Sequence, residues 1–250
     1  MGELNYILNQ GEKGSISFMG DSSLNSSRLI YGESAKLFAS ILKNKLSKGE
    51  KYSLLDLGSF KGELLKSLLK LLKGFKFSTI AVDLNEQALK ENTAAEKKFV
   101  SNLDNLPFKD KSIDVVIMRY VLQWNTPQKQ KDIILEIKRV TKKLAIIQHV
   151  GADNEFTVIH KSVINKIFAG EVKALKRSQE GMFFSSSNEI EDLMRELKIN
   201  FEKVDELKIN GLSDTAIEKY NLNKEDSKKV KDLLKRGDYL IRTTWVLNFD

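Results

Sequence analysis

The sequence predicts an α/β protein built on a parallel sheet, with amphipathic helices crossing over between its strands. Three observations lead there. Residues 52–83 read as strand, glycine turn, helix and second strand; apolar runs and helical patterns keep alternating to residue 249; and 250 residues with 41% hydrophobic content can bury a full core.

The first strand is Tyr52 to Leu57, a short apolar run between Lys51 and Gly58 that suits the centre of a parallel sheet. After Gly62, leucines at 64, 65, 68, 69 and 72 recur at helical spacing while Lys66, Lys70 and Lys73 fall on the other side, which makes a crossover helix. Gly74 stands where that helix would be capped, and Phe77 to Val82 supplies the second strand. Asp83 closes it, twenty-seven positions beyond Asp56. A backbone passing close to a nucleoside leaves no room for a Cβ at 58, and a helix packed tightly on its strand leaves none at 62. A carboxylate at 83 can accept both ribose hydroxyls. The segment therefore reads as a βαβ unit that holds a ribonucleoside.

Glycine spacing separates two ligand classes. A dinucleotide pyrophosphate requires G-x-G-x-x-G, whereas this chain has G-x-x-x-G. Asp56, just ahead of the turn, would repel a diphosphate but would suit the ammonium of an amino acid. The stretch D-L-G-S-F-K-G over 56–62 resembles motif I, D-x-G-x-G-x-G, of the class I S-adenosylmethionine-dependent methyltransferases, with Phe60 in place of the middle glycine. Further on, S-N-L-D-N-L-P-F-K-D-K-S-I-D-V-V-I over 101–117 resembles the D-A-x-x-L-P-F-x-D-x-S-F-D-V-V stretch of the methyltransferase type 11 group.

That resemblance implies S-adenosyl-L-methionine as cofactor, S-adenosyl-L-homocysteine as product, and no metal. Cofactor contacts are expected from Arg28, Asp56, Gly58, Ser59, Phe60, Gly62, Asp83, Leu84, Asn102, Leu103 and Arg119. At the adenine, the Asn102 amide oxygen would accept from the exocyclic amine that an aspartate meets in the group, and Leu103 would lie against the ring.

Pro107 belongs to a loop, and Ile113 to Met118 reads as the fourth strand. It ends in Arg119-Tyr120-Val121-Leu122-Gln123-Trp124, at the carboxyl edge where parallel sheets place their ligands. Type 11 enzymes acting on small carboxylic acids often show a similar L-Q-W there. Tyr31, Tyr120 and Trp124 are the candidate substrate contacts, though a tryptophan at the start of a crossover helix also serves as rim packing.

Downstream, Gln128 to Val140 reads as a helix, Leu144 to Val150 as a strand, Asn188 to Leu197 as a helix, and Phe201 to Ile209 and Thr243 to Phe249 as closing strands. The resemblance implies a Rossmann-like, seven-stranded, mostly parallel sheet with helices on both faces and the last strand antiparallel. A single domain is expected over 1–250: an N-terminal helical lid segment (1–50), a cofactor-binding core (51–150) and a substrate-side half (151–250). Two stretches exceed this plan. Residues 151–187 carry a helical pattern near Phe156 to Phe168, and 213–236 carry two short ones divided near Asn221. Together with the segment Arg28-Leu29-Ile30-Tyr31 they are expected to form helical insertions acting as a substrate lid.

The absence of cysteine excludes disulfides, thiolate metal sites and a cysteine nucleophile, and with it the covalent route to C5-pyrimidine methylation. Two histidines, His149 and His160, are too few for a histidine-built zinc site. No apolar run spans a bilayer and M-G-E-L-N-Y lacks a signal-peptide pattern, so a soluble cytoplasmic protein without membrane partners is expected. The net charge of +7 gathers in Lys138-Arg139 with Lys142-Lys143, and in Lys228-Lys229-Lys231 with Lys235-Arg236. These clusters alternate with acids and lack interleaved aromatics, which reads as a solvated surface, with nucleic acid as the alternative partner.

A general base is needed only where the methyl acceptor is protonated: a carboxylate needs none, a phenol or amine does. His149, in Q-H-V-G at the end of the fifth strand, is the candidate catalytic residue, with Asp153 and Glu155 behind it and a hydrogen-bonded structural role as the alternative. The expected function is methylation of a small-molecule substrate, oxygen ahead of nitrogen. An RNA or protein methyltransferase and an inactive cofactor-binding protein are the alternatives.

Overall fold

A central strand must be apolar on both faces, and β1 (Lys51–Leu57) is: Leu54 faces one core while Leu55 and Leu57 face the other. The computed structural model describes residues 24–151, 183–209, 224–236 and 240–249, with backbone alone over 24–31. Around β1 stand α1 (Leu24–Lys45), α2 (Glu63–Leu71), β2 (Lys76–Asp83), α3 (Glu86–Glu91), β3 (Lys97–Val100) and β4 (Ile113–Arg119). A 3₁₀ turn (Leu122–Trp124) leads into α4 (Pro127–Val140), β5 (Thr141–Gly151), α5 (Ser187–Glu196), β6 (Asn200–Ile209), α6 (Lys224–Arg236) and β7 (Leu240–Asn248).

These strands form one seven-stranded sheet in the order β3-β2-β1-β4-β5-β7-β6. β1 to β5 pair in parallel, and β7 runs antiparallel between β5 and β6. This is the Rossmann-like arrangement expected, six strands one way and the last reversed. Helices cover both faces: α1, α2 and α3 bury Phe38, Leu42, Leu65, Leu68 and Leu89 against one, while α4 and α5 bury Ile133, Ile137, Ile190 and Met194 against the other. Strand order reverses between β1 and β4, so the helices that follow them leave on opposite faces and a crevice opens at the carboxyl edge.

Local chemistry sets the element ends. α4 starts at Thr126, whose hydroxyl accepts from the Lys129 N–H, with Pro127 at its first position. α5 starts with a capping box in which Ser186 and Glu189 exchange hydrogen bonds of 3.1 and 2.6 Å. α2 closes at Leu72, two residues before Gly74, which takes its left-handed conformation (φ 91°) in the turn beyond.

The expected helix near Phe156 to Phe168, the loop acids Asp153 and Glu155, His160 and the first of the two helical patterns over 213–236 lie outside the described residues. So does the lid role of the insertions. The second half of α1 is core, since Ala35, Phe38, Ala39 and Leu42 are buried on the sheet. No described helix is long and apolar enough to cross a membrane.

Candidate active site

Left-handed backbone at alternate residues bends the chain sharply between β1 and α2: Gly58 (φ 69°), Phe60 (47°) and Gly62 (78°). A Cβ on Gly58 would run into the Val121 side chain. One on Gly62 would run into Asn92, which cannot give way because its amide is buried and bonded to the Ser59 hydroxyl and to the Ala94 and Ala95 N–H groups. Phe60 takes the left-handed conformation where the motif has glycine. Its ring is buried, the Lys61 ammonium lies 5.9 Å from the ring centroid, and its N–H donates to Asp83 Oδ2 at 2.9 Å.

Asp83 is thus clamped at the end of β2, for its other oxygen accepts from the Asn85 N–H at 2.8 Å. Each carboxylate oxygen keeps a further lone pair. Both the carboxylate and the turn border a cavity of roughly 150 Å³ at the switch point. Gly58, Phe60, Asp83 and Leu84 line one side, and Asn102, Leu103 and Asp104 another. Arg119, Tyr120, Val121, Trp124 and Asn125 follow from β4 onward, with Lys129 and Ile133 of α4 closing the lining. Leu84 is 52% exposed, an apolar side chain bare at the cavity rim.

The loop that carries Asn102 to Asp104 is tied down by one guanidinium. Arg139 donates to the carbonyls of Leu106 and Phe108 at 3.1 and 2.7 Å, to Asp110 at 2.8 Å and to both oxygens of Glu136. Glu136 also accepts from the Leu106 N–H, and these bonds hold its carboxyl below the usual carboxylate range. Arg139 therefore serves the loop rather than an outside phosphate. Lys138 likewise donates to the Leu197 carbonyl.

Nine residues expected at the site come together in this lining: Gly58, Phe60, Asp83, Leu84, Asn102, Leu103, Arg119, Tyr120 and Trp124. Sequence reasoning did not single out Asp104, Val121, Asn125, Lys129 and Ile133. Lys129 and Ile133 stand four apart on one helix face, a spacing visible in the chain but silent about which face meets the cavity. Ser59 and Gly62 do not line it; they build the turn behind it. Arg28 and Tyr31 lie outside the residues whose side chains are described.

Asp56 is also outside the lining. Its side chain is buried, and Oδ2 has no hydrogen-bond partner among the described residues. Burial raises its pKa well above the ordinary value, the charge of Asp83 adds to this, and Arg119 opposes it.

His149 does not line this cavity. Its side chain is wholly buried on the α4–α5 face of the sheet, away from the cavity lining. Nε2 lies 2.8 Å from the Ser185 carbonyl oxygen, to which it can only donate, so Nε2 carries the proton. The ring is stacked near Trp245, and burial lowers its pKa to about 4. The ring is therefore neutral near pH 7 and hydrogen-bonded to the Ser185 carbonyl.

Residues 55–147 match the family model described as a methyltransferase domain. No curated protein sequence matches the chain. Among solved structures it is similar to the YcgJ protein of Bacillus subtilis, at 13% identity over 87% of this chain and 99% of that one, with a TM-score of 0.61. It is also similar to magnesium protoporphyrin IX methyltransferase from Synechocystis PCC 6803, solved with bound S-adenosylmethionine (12% identity, 94% and 88% covered, TM-score 0.56). A third is geranyl diphosphate C-methyltransferase from Streptomyces coelicolor A3(2), in complex with Mg2+, geranyl diphosphate and S-adenosyl-L-homocysteine (11%, 93% and 88%, 0.55). At such identities the likeness is one of fold.

Proposed function

We propose that the protein is an S-adenosylmethionine-dependent methyltransferase that methylates a small molecule, at the oxygen of a carboxylate or hydroxyl ahead of an amine. The cavity at the switch point carries the reading, because its walls offer what each part of the cofactor needs. Asp83 presents a clamped carboxylate to the ribose hydroxyls. Leu84 and Leu103 offer apolar surface to the adenine, and the Asn102 amide can accept from its exocyclic amine. Gly58 borders the cavity with backbone alone, its left-handed turn pressed against Val121. The Synechocystis neighbour, solved with S-adenosylmethionine, supports the same reading.

When bound, the cofactor supplies an electrophilic sulfonium methyl group. The chain's own part is to orient and to exclude water, which is where most of the rate of such a transfer arises. Preference for an oxygen acceptor rests on the lining. Among the described residues it holds no histidine, while Lys129 is a cation at its wall that suits an anionic acceptor, and a carboxylate requires no base. Tyr120 and Trp124 give the acceptor aromatic walls.

Labelled methyl transfer from S-adenosylmethionine into a host-cell extract tests this, with counts taken separately in small-molecule, RNA and protein fractions. The expected result is label in the small-molecule fraction, released as methanol by mild alkali where the acceptor is a carboxylate and retained as an alkali-stable ether where it is a hydroxyl. Label in RNA or protein would overturn the reading in favour of the exposed lysines of α6, and cofactor binding without transfer to any fraction would make the protein an inactive binder.

A further inference from the structure

We propose that Ser34 of α1 is a positioning residue that sets the direction of Arg119 in the cavity, a role that rests on reading the cavity as the cofactor site. Side chains alternate across a strand, and on the α1 face of the sheet Arg119, Gln148 and Thr244 form one polar row, being register partners across β4, β5 and β7. Ser34 comes down on this row from α1 and is itself 1% exposed.

The proton order along the row follows from its geometry. Gln148 donates through Nε2 to the Thr244 hydroxyl at 3.0 Å, which turns its carbonyl oxygen toward α1. Ser34 donates its single proton to that oxygen at 2.7 Å, so only its lone pairs remain for the Arg119 Nε–H at 3.0 Å. A hydrogen bond at Nε fixes the plane of a guanidinium. That plane lies over the Tyr120 ring, 3.9 Å from Cζ to centroid. Tyr120, held in a left-handed conformation (φ 56°), donates its N–H to the Gln148 carbonyl at 2.9 Å. Two neighbouring wall residues of the cavity are therefore both referenced to Gln148, one through backbone and the other through the Ser34 hydroxyl.

The sequence offered no sign of this relay, since Ser34 and Gln148 lie 114 positions apart. Its consequence is that losing one hydroxyl on α1 removes the partner that orients Arg119 Nε without removing the guanidinium charge. The test is the affinity for S-adenosylhomocysteine, by titration calorimetry, of wild type, Ser34→Ala, Ser34→Thr, Arg119→Met and the double variant Ser34→Ala/Arg119→Met, with thermal unfolding recorded for each. Ser34→Ala should weaken binding about tenfold, and Ser34→Thr, which keeps the hydroxyl, by no more than about threefold. In the Arg119→Met background Ser34→Ala should add less than about twofold, because the two residues act through one contact. Should Arg119→Met fail to fold, Arg119→Lys, which keeps a cation and loses the Nε–H, takes its place in the cycle.

Equal weakening by Ser34→Ala with and without Arg119, or no weakening at all, would overturn the proposal. A wild-type protein that takes up no S-adenosylhomocysteine would instead remove the cofactor reading itself.

Discussion

Parity within a strand decides what each residue at the carboxyl edge can do. Gln148 and His149 are neighbours in β5, yet their side chains leave on opposite faces: one joins the Arg119 row under α1, the other reaches Ser185. The chain places both at the edge but does not say which one turns toward a ligand, and for that reason His149 is legible as a strand-end histidine and not as a buried one. Its burial has a measurable cost in acid. Between pH 6.5 and about 4 the unfolded chain binds a proton that the native protein refuses, so stability falls as pH drops through that window, by about 3 kcal/mol in all. Asp56, whose pKa is raised, acts with the opposite sign, losing stability as pH rises above its unfolded value. Comparison with His149→Gln, whose amide can still donate to Ser185, isolates the histidine. We expect the loss in urea midpoint from pH 7 to pH 5 to be clearly smaller in the variant; the same loss in both would show that His149 does not carry the acid sensitivity.

At the scale of elements, β1, α2 and β2 are legible because every local preference agrees: apolar runs where burial is complete, leucines on one helix face, and glycine where the backbone turns left-handed. β3 is hidden for the opposite reason. Its four residues, Lys97–Val100, lie at the sheet edge and stay largely exposed, so no apolar run marks them. α3 has only six residues, too few for a periodic pattern to show. The loop after β3 was legible as a motif, but its anchor was not, because Arg139 reads as one more surface cation until the fold brings four carbonyl and carboxylate partners to it. Arg139→Gln is expected to lower stability by about 2 kcal/mol, the scale of a charged hydrogen-bond network, and to raise amide exchange over residues 101–111. Unfolding and exchange indistinguishable from wild type would detach the loop from that anchor.

Over the whole molecule, the strand order and the reversed β7 follow from the resemblance rather than from any local pattern, since nothing in an apolar run specifies its neighbour. Once the order is fixed, the site follows: the switch between β1 and β4 brings Gly58, Asp83, Asn102 and Arg119 to one crevice from positions scattered over more than sixty residues. The net charge of +7 is a property of the surface at this scale, and part of it is consumed internally by Arg139 and Lys138. The central claim is that this crevice holds S-adenosylmethionine by its ribose on Asp83. Titration of S-adenosylhomocysteine into wild type and Asp83→Ala, with unfolding curves to confirm that both are folded, tests it most directly. Saturable binding to wild type, weakened by about 1.5–3 kcal/mol in the variant, is the predicted result; equal affinity in the two folded proteins would contradict it.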